Sequence, residues 1–376
     1  MKIVIPKERS PDERRVPMIP PDVKQLVKLG AQVEIEKGMG ESVGYADDEY
    51  MAAGATISAD RKTLLSSADV VVRLHKPAVD EISWLKKGSI HISYLDPSNE
   101  PEILDKFVSR GISAISMEMI PRVTRAQKMD VLSSQASLAG YVAVIIAAER
   151  SGKIFPMMMT PAGTIAPVRV FVIGVGVAGL QAIATAKRLG ARVDAFDTRP
   201  VVEEQVRSLG ARFVKIDLGE TGETKDGYAK ALTEEQIEMQ RREMAKHCAI
   251  ADVVITTAQV FGRKAPLIVT REMITGMKNG SIIIDLAAES GGNVEGTIPG
   301  EEICLNGVKI IGLKNAANQV AQHASQMYSS NILSFITEFW DDETKSLKPD
   351  LDDEIIKGCL VTHESKIFSE ALKRHT

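Results

Sequence analysis

The densest chemistry in the chain is Gly174-Val175-Gly176-Val177-Ala178-Gly179, a glycine-rich run directly after the apolar stretch 170–173 and directly before a helical stretch reaching Leu189. Between a strand and a helix, each glycine has a physical use. Gly174 permits the tight turn, Gly176 lets the backbone approach a pyrophosphate, and Gly179 lets helix and strand pack closely. With Val177 and Ala178 they open a helix whose first amides lack intrahelical partners and carry a partial positive charge, so an anionic pyrophosphate belongs there. A glycine pattern alone is weak, since any tight strand-to-helix turn can produce one. Asp197 strengthens it by ending the next apolar stretch, 18 residues beyond Gly179. Its carboxylate can accept from both ribose hydroxyls of an adenosine and would repel a 2'-phosphate, which favours NAD over NADP. Thr198 and Arg199 follow and join the candidate cofactor-binding residues. An arginine there can in principle accommodate a 2'-phosphate, although an acid at the strand end normally decides the preference. Gln259, after Thr256-Thr257-Ala258, reads equally as a cofactor contact or as a cap. A second glycine cluster, from Gly38 to Gly44, lacks a following apolar helix and reads as an ordinary loop.

These residues need a scaffold, and the pattern around them supplies one. Short β-branched runs alternate with helical stretches throughout, which calls for parallel strands joined by crossover helices. Strands are predicted at 3–7, 32–36, 70–74, 89–94 and 112–117, then at 168–173, 192–196, 213–216, 253–256, 282–286 and 309–312. Helical spacing covers 23–29, 101–109, 131–150 and 319–340, and the stretch 131–150 reads as a helix bridging two domains. The fold class is α/β, with two doubly wound, Rossmann-like parallel-sheet domains joined by long helices. The expected domains are 1–135 completed by 325–376, and 136–324 for the dinucleotide-binding part. Asp285-Leu286-Ala287 falls with Gln259 at the strand ends where such a sheet presents its ligand crevice.

Composition narrows the function. The chain has 376 residues, of which 44% are hydrophobic and 26% charged, enough for two packed domains. A net charge of -4 with both signs interspersed offers no basic face for nucleic acid. Cys248, Cys304 and Cys359 are too far apart for a thiolate metal site or a disulfide framework, and the six histidines are scattered, so no metal is expected. The start, Met1-Lys2-Ile3-Val4-Ile5-Pro6, lacks a signal peptide's apolar region, and runs such as 141–148 fall short of a membrane span. A cytoplasmic chain is expected, with any membrane role reached through a partner.

Longer strings carry a resemblance. Met117-Glu118-Met119-Ile120-Pro121-Arg122 through Asp130-Val131-Leu132-Ser133-Ser134-Gln135 resembles the signature of domain I of the proton-translocating NAD(P) transhydrogenases, as does Pro156-Met157-Met158-Met159-Thr160. So do the glycine-rich run continued to Ala186 and Asp285-Leu286-Ala287-Ala288-Glu289-Ser290-Gly291-Gly292-Asn293, so the resemblance covers nearly the whole chain. Pro6-Lys7-Glu8 through Arg14-Arg15-Val16 is shared more broadly with alanine dehydrogenases, which have the same two-domain plan. The resemblance implies that Arg122, Gln127, Asp130 and Ser133 form a loop meeting the nicotinamide end of the nucleotide. Arginine and aspartate would act around the nicotinamide and its phosphates, serine would bond the carboxamide, and glutamine would lie towards a partner's nucleotide. From the residues alone, 122–130 reads only as a polar connection before a helix, with Asp130 at its start. The polar insertion 219–230 resembles the family's mobile loop, in which Gly227 and Tyr228 would close over bound nucleotide; otherwise it reads as a surface loop. The resemblance further implies NAD(H) on this chain, NADP(H) on a partner subunit, a separate membrane-embedded proton-channel subunit and a homodimer. The chain would then sit at the cytoplasmic face of the inner membrane through those partners.

Two alternatives stay open. An alanine dehydrogenase would need a carboxylate-binding arginine, which Arg15 matches. Its substrate lysine, catalytic histidine and aspartate fall on His75, the region of Asp96 and Glu289, so three of four expected groups are missing. A non-catalytic NAD-binding protein is the other, distinguished by hydride transfer.

Overall fold

A computed structural model describes residues 1–219, 232–259, 262 and 264–373. The chain divides into two compact units, Met1–Gln135 with Val320–Thr376, and Ala136–Gln319. The helix Val131–Arg150 carries the chain from the first into the second.

In the first unit, six parallel strands run in the order Ser113–Ser116, Ile90–Ser93, Val70–Val72, Lys2–Ile5, Gln32–Glu36, Thr56–Ser58. Leu360–His363 adds antiparallel to Ser113–Ser116 and turns back as a hairpin with Lys366–Ile367. The central strands are buried on both faces, so they read as unbroken apolar runs rather than as alternation: Val70, Val71 and Val72 are all fully buried. The helices Pro20–Lys28 and Pro101–Arg110 start on prolines that need no amide partner there, and each presents one apolar face to the sheet. Tyr328, Ile332 and Phe335 of the helix Ala321–Glu338 fill the same core as Ile3, Ile35 and Val72.

The second unit holds a seven-stranded sheet in the order Arg212–Phe213, Arg192–Phe196, Arg169–Ile173, Val253–Thr256, Ile282–Asp285, Val308–Gly312, Glu302–Leu305. All pair in parallel except Glu302–Leu305, which closes the far edge antiparallel to Val308–Gly312. The first strand of this unit to pair into the sheet, Arg169–Ile173, lies between Arg192–Phe196 and Val253–Thr256, so the winding reverses beside it. That is the topological switch point at which open α/β sheets bind ligands.

Several elements differ from expectation. The strand predicted at 213–216 is only Arg212–Phe213: Val214 donates once more to the Ala195 carbonyl at 2.8 Å, and then the chain leaves the sheet edge. The exposed hairpin Met158–Thr160 with Gly163–Ile165 carries no burial alternation that a sequence could display. The helix Val131–Arg150 is long and apolar enough, by length and composition, to cross a membrane, unlike the shorter apolar run within it. Its Ala143, Val144 and Ala147 are instead packed in the core of the second unit.

Candidate functional site

Three polar constellations stand out, one in the second unit and two in the first. In the second unit the glycine-rich run caps the switch point. Gly174 sits at φ 92°, the left-handed region that favours glycine, and a Cβ on it would lie 2.7 Å from Thr257 Oγ1. The helix Val177–Arg188 follows directly. A Cβ on Gly179 would lie 2.0 Å from the Gly174 carbonyl oxygen, so only glycine allows this helix to rest on the turn. Gly176 faces open space, with nothing within 4 Å of the position a Cβ would take. The turn is therefore tight beneath and open above, with unpaired helix amides pointing into the opening, which fits a pyrophosphate.

Asp197 lies beside that turn. Its Oδ2 accepts from the Val175 amide at 2.7 Å, and Arg199 approaches in a fork, Nε to Oδ1 and Nη2 to Oδ2, both at 2.9 Å. The Arg199 amide donates to Oδ1 as well, and its Nη2 reaches the Val175 carbonyl. Arg199 is thus folded onto Asp197, a bidentate pairing that orients the acid. Thr198 connects the two and is half-buried. Across the switch point, Thr257 Oγ1 donates to the Gly174 carbonyl at 2.9 Å. Gln259 is exposed just beyond it. The preceding residue is held from both sides by Asn293, whose Oδ1 accepts from the Ala258 amide at 3.0 Å while its Nδ2 donates to the Ala258 carbonyl at 2.8 Å. Asn293 in turn is set by the buried Asp285, which accepts from the amides of Ala287, Asn293 and Val294. Burial pushes the Asp285 carboxyl up, against these bonds. The sequence pattern puts Asp285 at the crevice but assigns Asn293 no role, because its partner lies 35 residues away. Gly227 and Tyr228 lie outside the described residues.

In the first unit, Asp130 starts the helix Val131–Arg150. Its Oδ1 accepts from the Ser133 amide at 2.8 Å and its Oδ2 from the Ser133 hydroxyl at 2.6 Å. This is helix capping, and it also commits the one hydroxyl proton of Ser133, leaving that oxygen as an acceptor. Such an oxygen suits an amide N–H donor. Arg122 and Gln127 lie on the segment leading to Asp130, and both are exposed. Asn331 Nδ2 holds the Lys128 carbonyl at 2.7 Å, and Asn331 Oδ1 accepts from Ser134, fixing the segment from beneath.

The same unit buries a charged knot that is only partly legible in the sequence. Arg15 donates from Nε and Nη2 to Glu13, at 2.9 and 2.8 Å, and from Nη1 to Gln135 at 2.9 Å. His75 Nε2 meets Glu13 at 2.7 Å. Burial would raise the Glu13 carboxyl, but the bonds from Arg15 and His75 outweigh it and hold it well below the usual range. Because its folded pKa is depressed, Glu13 contributes stability above its unfolded pKa of about 4.3, and that contribution fades as pH falls through the lower folded value. Glu13→Gln is therefore expected to destabilise the chain by about 3 kcal/mol at pH 7, since it leaves buried Arg15 without its ion partner. In denaturant melts the gap from wild type should narrow below about pH 4. A gap that does not change with pH would contradict this assignment. Asp96, at φ 50°, donates its amide to the buried Glu118 at 2.6 Å, and Glu289 is exposed and accepts from the Asn315 amide.

The N-terminal domain of the family described as alanine dehydrogenase/PNT matches residues 4–139, and its C-terminal domain matches residues 143–370. A component of the NAD(P) transhydrogenase alpha subunit of Rhodospirillum rubrum is 46% identical over 379 residues, covering 99% of each chain. A transhydrogenase structure from Sinorhizobium meliloti superposes with a TM-score of 0.88 at 41% identity, covering 98% of this chain and 100% of that one. An L-alanine dehydrogenase structure reaches a TM-score of 0.83 at 25% identity, covering 100% and 98%.

Proposed function

The chain belongs to the transhydrogenase alpha subunits of the alanine dehydrogenase/PNT family, and from that premise we propose that it holds NADH and passes hydride to NADP+ on a partner subunit. The observation that carries the reading is the switch-point turn: tight beneath Gly179, open above Gly176, and flanked by the Asp197 carboxylate. The amides at the start of the helix Val177–Arg188 would hold the pyrophosphate, Asp197 the adenosine ribose hydroxyls, and Gln259 would contact the dinucleotide near the strand ends. Gly227 and Tyr228 belong to the same proposal as a closing loop.

A bound dihydronicotinamide supplies the hydride itself. This chain's task is then to orient and to exclude water, which needs no acid–base pair. Ser133, its proton held by Asp130, would accept from the carboxamide and fix the ring's rotation. Arg122 would neutralise phosphate charge, and Gln127 would face the partner's nucleotide. Family membership and the capped Asp130–Ser133 geometry support these roles.

Partners follow from the same premise. The Rhodospirillum relative is named as one portion of an alpha subunit, which supports an NADP(H)-binding subunit and a membrane-embedded proton-channel subunit as separate partners. Coupling to proton translocation and residence at the cytoplasmic face of the membrane would come through them. The exposed apolar residues Tyr141, Ile145, Met157, Met158, Met159 and Ile165 fit burial against a second copy in a homodimer. Against the alanine dehydrogenase reading stands Arg15, whose Nε/Nη2 fork is already filled by the Glu13 carboxylate and whose Nη1 donates to Gln135, leaving two of its five N–H groups for a substrate carboxylate.

Fluorescence titration tests the cofactor reading. NADH should bind at least about 100-fold more tightly than NADPH, and Asp197→Ala should weaken NADH by about 10- to 100-fold while narrowing that ratio, the loss expected for hydrogen bonds to a charged group. Equal affinities for the two nucleotides in the wild type would count against it.

A further inference from the structure

A second polar cavity lies in the first unit, at the amino ends of the sheet strands, whereas dinucleotide crevices form at carboxyl ends. It measures about 270 Å³, against about 30 Å³ for a water in the liquid, and its polar wall is Asp69, Lys86, Lys87, Ser89, Ser113 and His363. Topology brings these groups together. Asp69 precedes the strand Val70–Val72, Ser89 precedes Ile90–Ser93, Ser113 begins Ser113–Ser116, and His363 ends the returning strand Leu360–His363. Three features of the wall are unexplained by folding alone. Ser89 is 2% exposed, yet its Oγ has no hydrogen-bond partner. Buried hydroxyls are nearly always bonded, so an orphan beside a cavity marks a missing acceptor or donor. Lys87 is exposed at the mouth and makes no ion pair or hydrogen bond among the described residues. Two ammonium groups face a single carboxylate: Lys86 Nζ reaches Asp69 Oδ1 at 2.5 Å, while Lys87 is left over. The cavity is therefore cationic, and the uncommitted Ser89 hydroxyl supplies it with a donor, while Ser113 Oγ and His363 Nδ1 are bonded to each other at 2.9 Å.

We propose that this cavity binds a small phosphoryl-bearing anion, with Lys87 and Ser89 as its principal ligands. A phosphoryl group presents several acceptor oxygens to ammonium and hydroxyl donors on different walls, and the volume leaves room for a modest organic substituent. The site shares no residue with the dinucleotide turn, so it stands whether or not the hydride-transfer reading does.

The test titrates orthophosphate into the full-length chain by calorimetry, with chloride holding ionic strength constant. A parallel arm titrates AMP. Lys87→Ala and Ser89→Ala remove the ligands, and Gly176→Ala, whose methyl would occupy the pyrophosphate position at the dinucleotide turn, controls for phosphate binding there. Circular dichroism confirms that each variant folds. Saturable binding is expected in the wild type and in Gly176→Ala, weakened at least about tenfold in Lys87→Ala and measurably in Ser89→Ala. AMP binding that is tighter and equally lost in Lys87→Ala would identify a nucleotide phosphoryl as the occupant; orthophosphate binding alone would identify the free ion. No saturable binding of either anion, or binding unchanged in folded Lys87→Ala and Ser89→Ala, would overturn the site.

Discussion

Gly179→Ala is expected to weaken NADH binding by at least about 100-fold and to lower the melting temperature as well. The added methyl would stand 2.0 Å from the Gly174 carbonyl oxygen and 3.0 Å from its carbon, and both are backbone atoms that no rotamer change can move aside. The helix Val177–Arg188 must therefore lift from the turn, carrying the Val177 and Ala178 amides off the phosphate position. Overpacking of this kind costs about 1–3 kcal/mol in stability before any binding is lost. Gly176→Ala provides the contrast. Its methyl meets no protein atom within 4 Å, so the fold should keep its melting temperature while the methyl occupies the room that a pyrophosphate would use. Fluorescence titration and thermal melts on both variants check this. If Gly179→Ala bound NADH as the wild type does, the turn would not be the nucleotide site.

The second large effect falls on Asp130. Asp130→Asn should slow hydride transfer by about 100-fold while weakening NADH binding less than about tenfold. The wild-type carboxylate accepts from both the amide and the hydroxyl of Ser133, at 2.8 and 2.6 Å. An asparagine has one oxygen for those two donors, and its NH2 would turn towards the Ser133 hydroxyl and claim the lone pairs meant for the ligand. The ring would still bind, with its rotation less fixed, and near-attack geometry is what such a change removes. Ser133→Ala should act in the same direction and more weakly. Single-turnover rates measured beside binding constants separate the two effects. Equal losses in transfer and binding would reduce Asp130 to a uniform binding role, and no loss in either would remove it from the mechanism.

What can be read from the sequence is what is local or buried on both faces. The strand Val253–Thr256 has the predicted bounds because a doubly covered parallel strand is buried throughout and reads as a continuous apolar run. The glycine-rich turn is legible because turn, close approach and helix start fall within six consecutive residues. In the sequence, Arg199 stands against Asp197 as a possible competitor for cofactor preference. The structure pairs them, since two residues along the chain puts the guanidinium within reach of the acid. Long-range partners are not legible. Glu13, Arg15 and Gln135 meet only because the helix Val131–Arg150 begins beside the connection that follows the N-terminal strand, 120 residues on. Nothing in the sequence marks Gly140, yet a Cβ there would lie 2.1 Å from the Ala178 carbonyl oxygen, so only glycine lets this helix lie so close to the helix Val177–Arg188. Nothing within a helix's own periodicity announces which neighbour will press against it.

The most direct test of the central claim follows the hydride itself. The purified chain is given NADH carrying deuterium at the transferred position, together with NADP+ on a transhydrogenase partner domain in one reaction, and pyruvate with ammonia in another. The proposed function predicts deuterium in NADPH that depends on both proteins, and none in alanine. Deuterated alanine formed by this chain alone, with no label in NADPH, would contradict it and make the chain an alanine dehydrogenase.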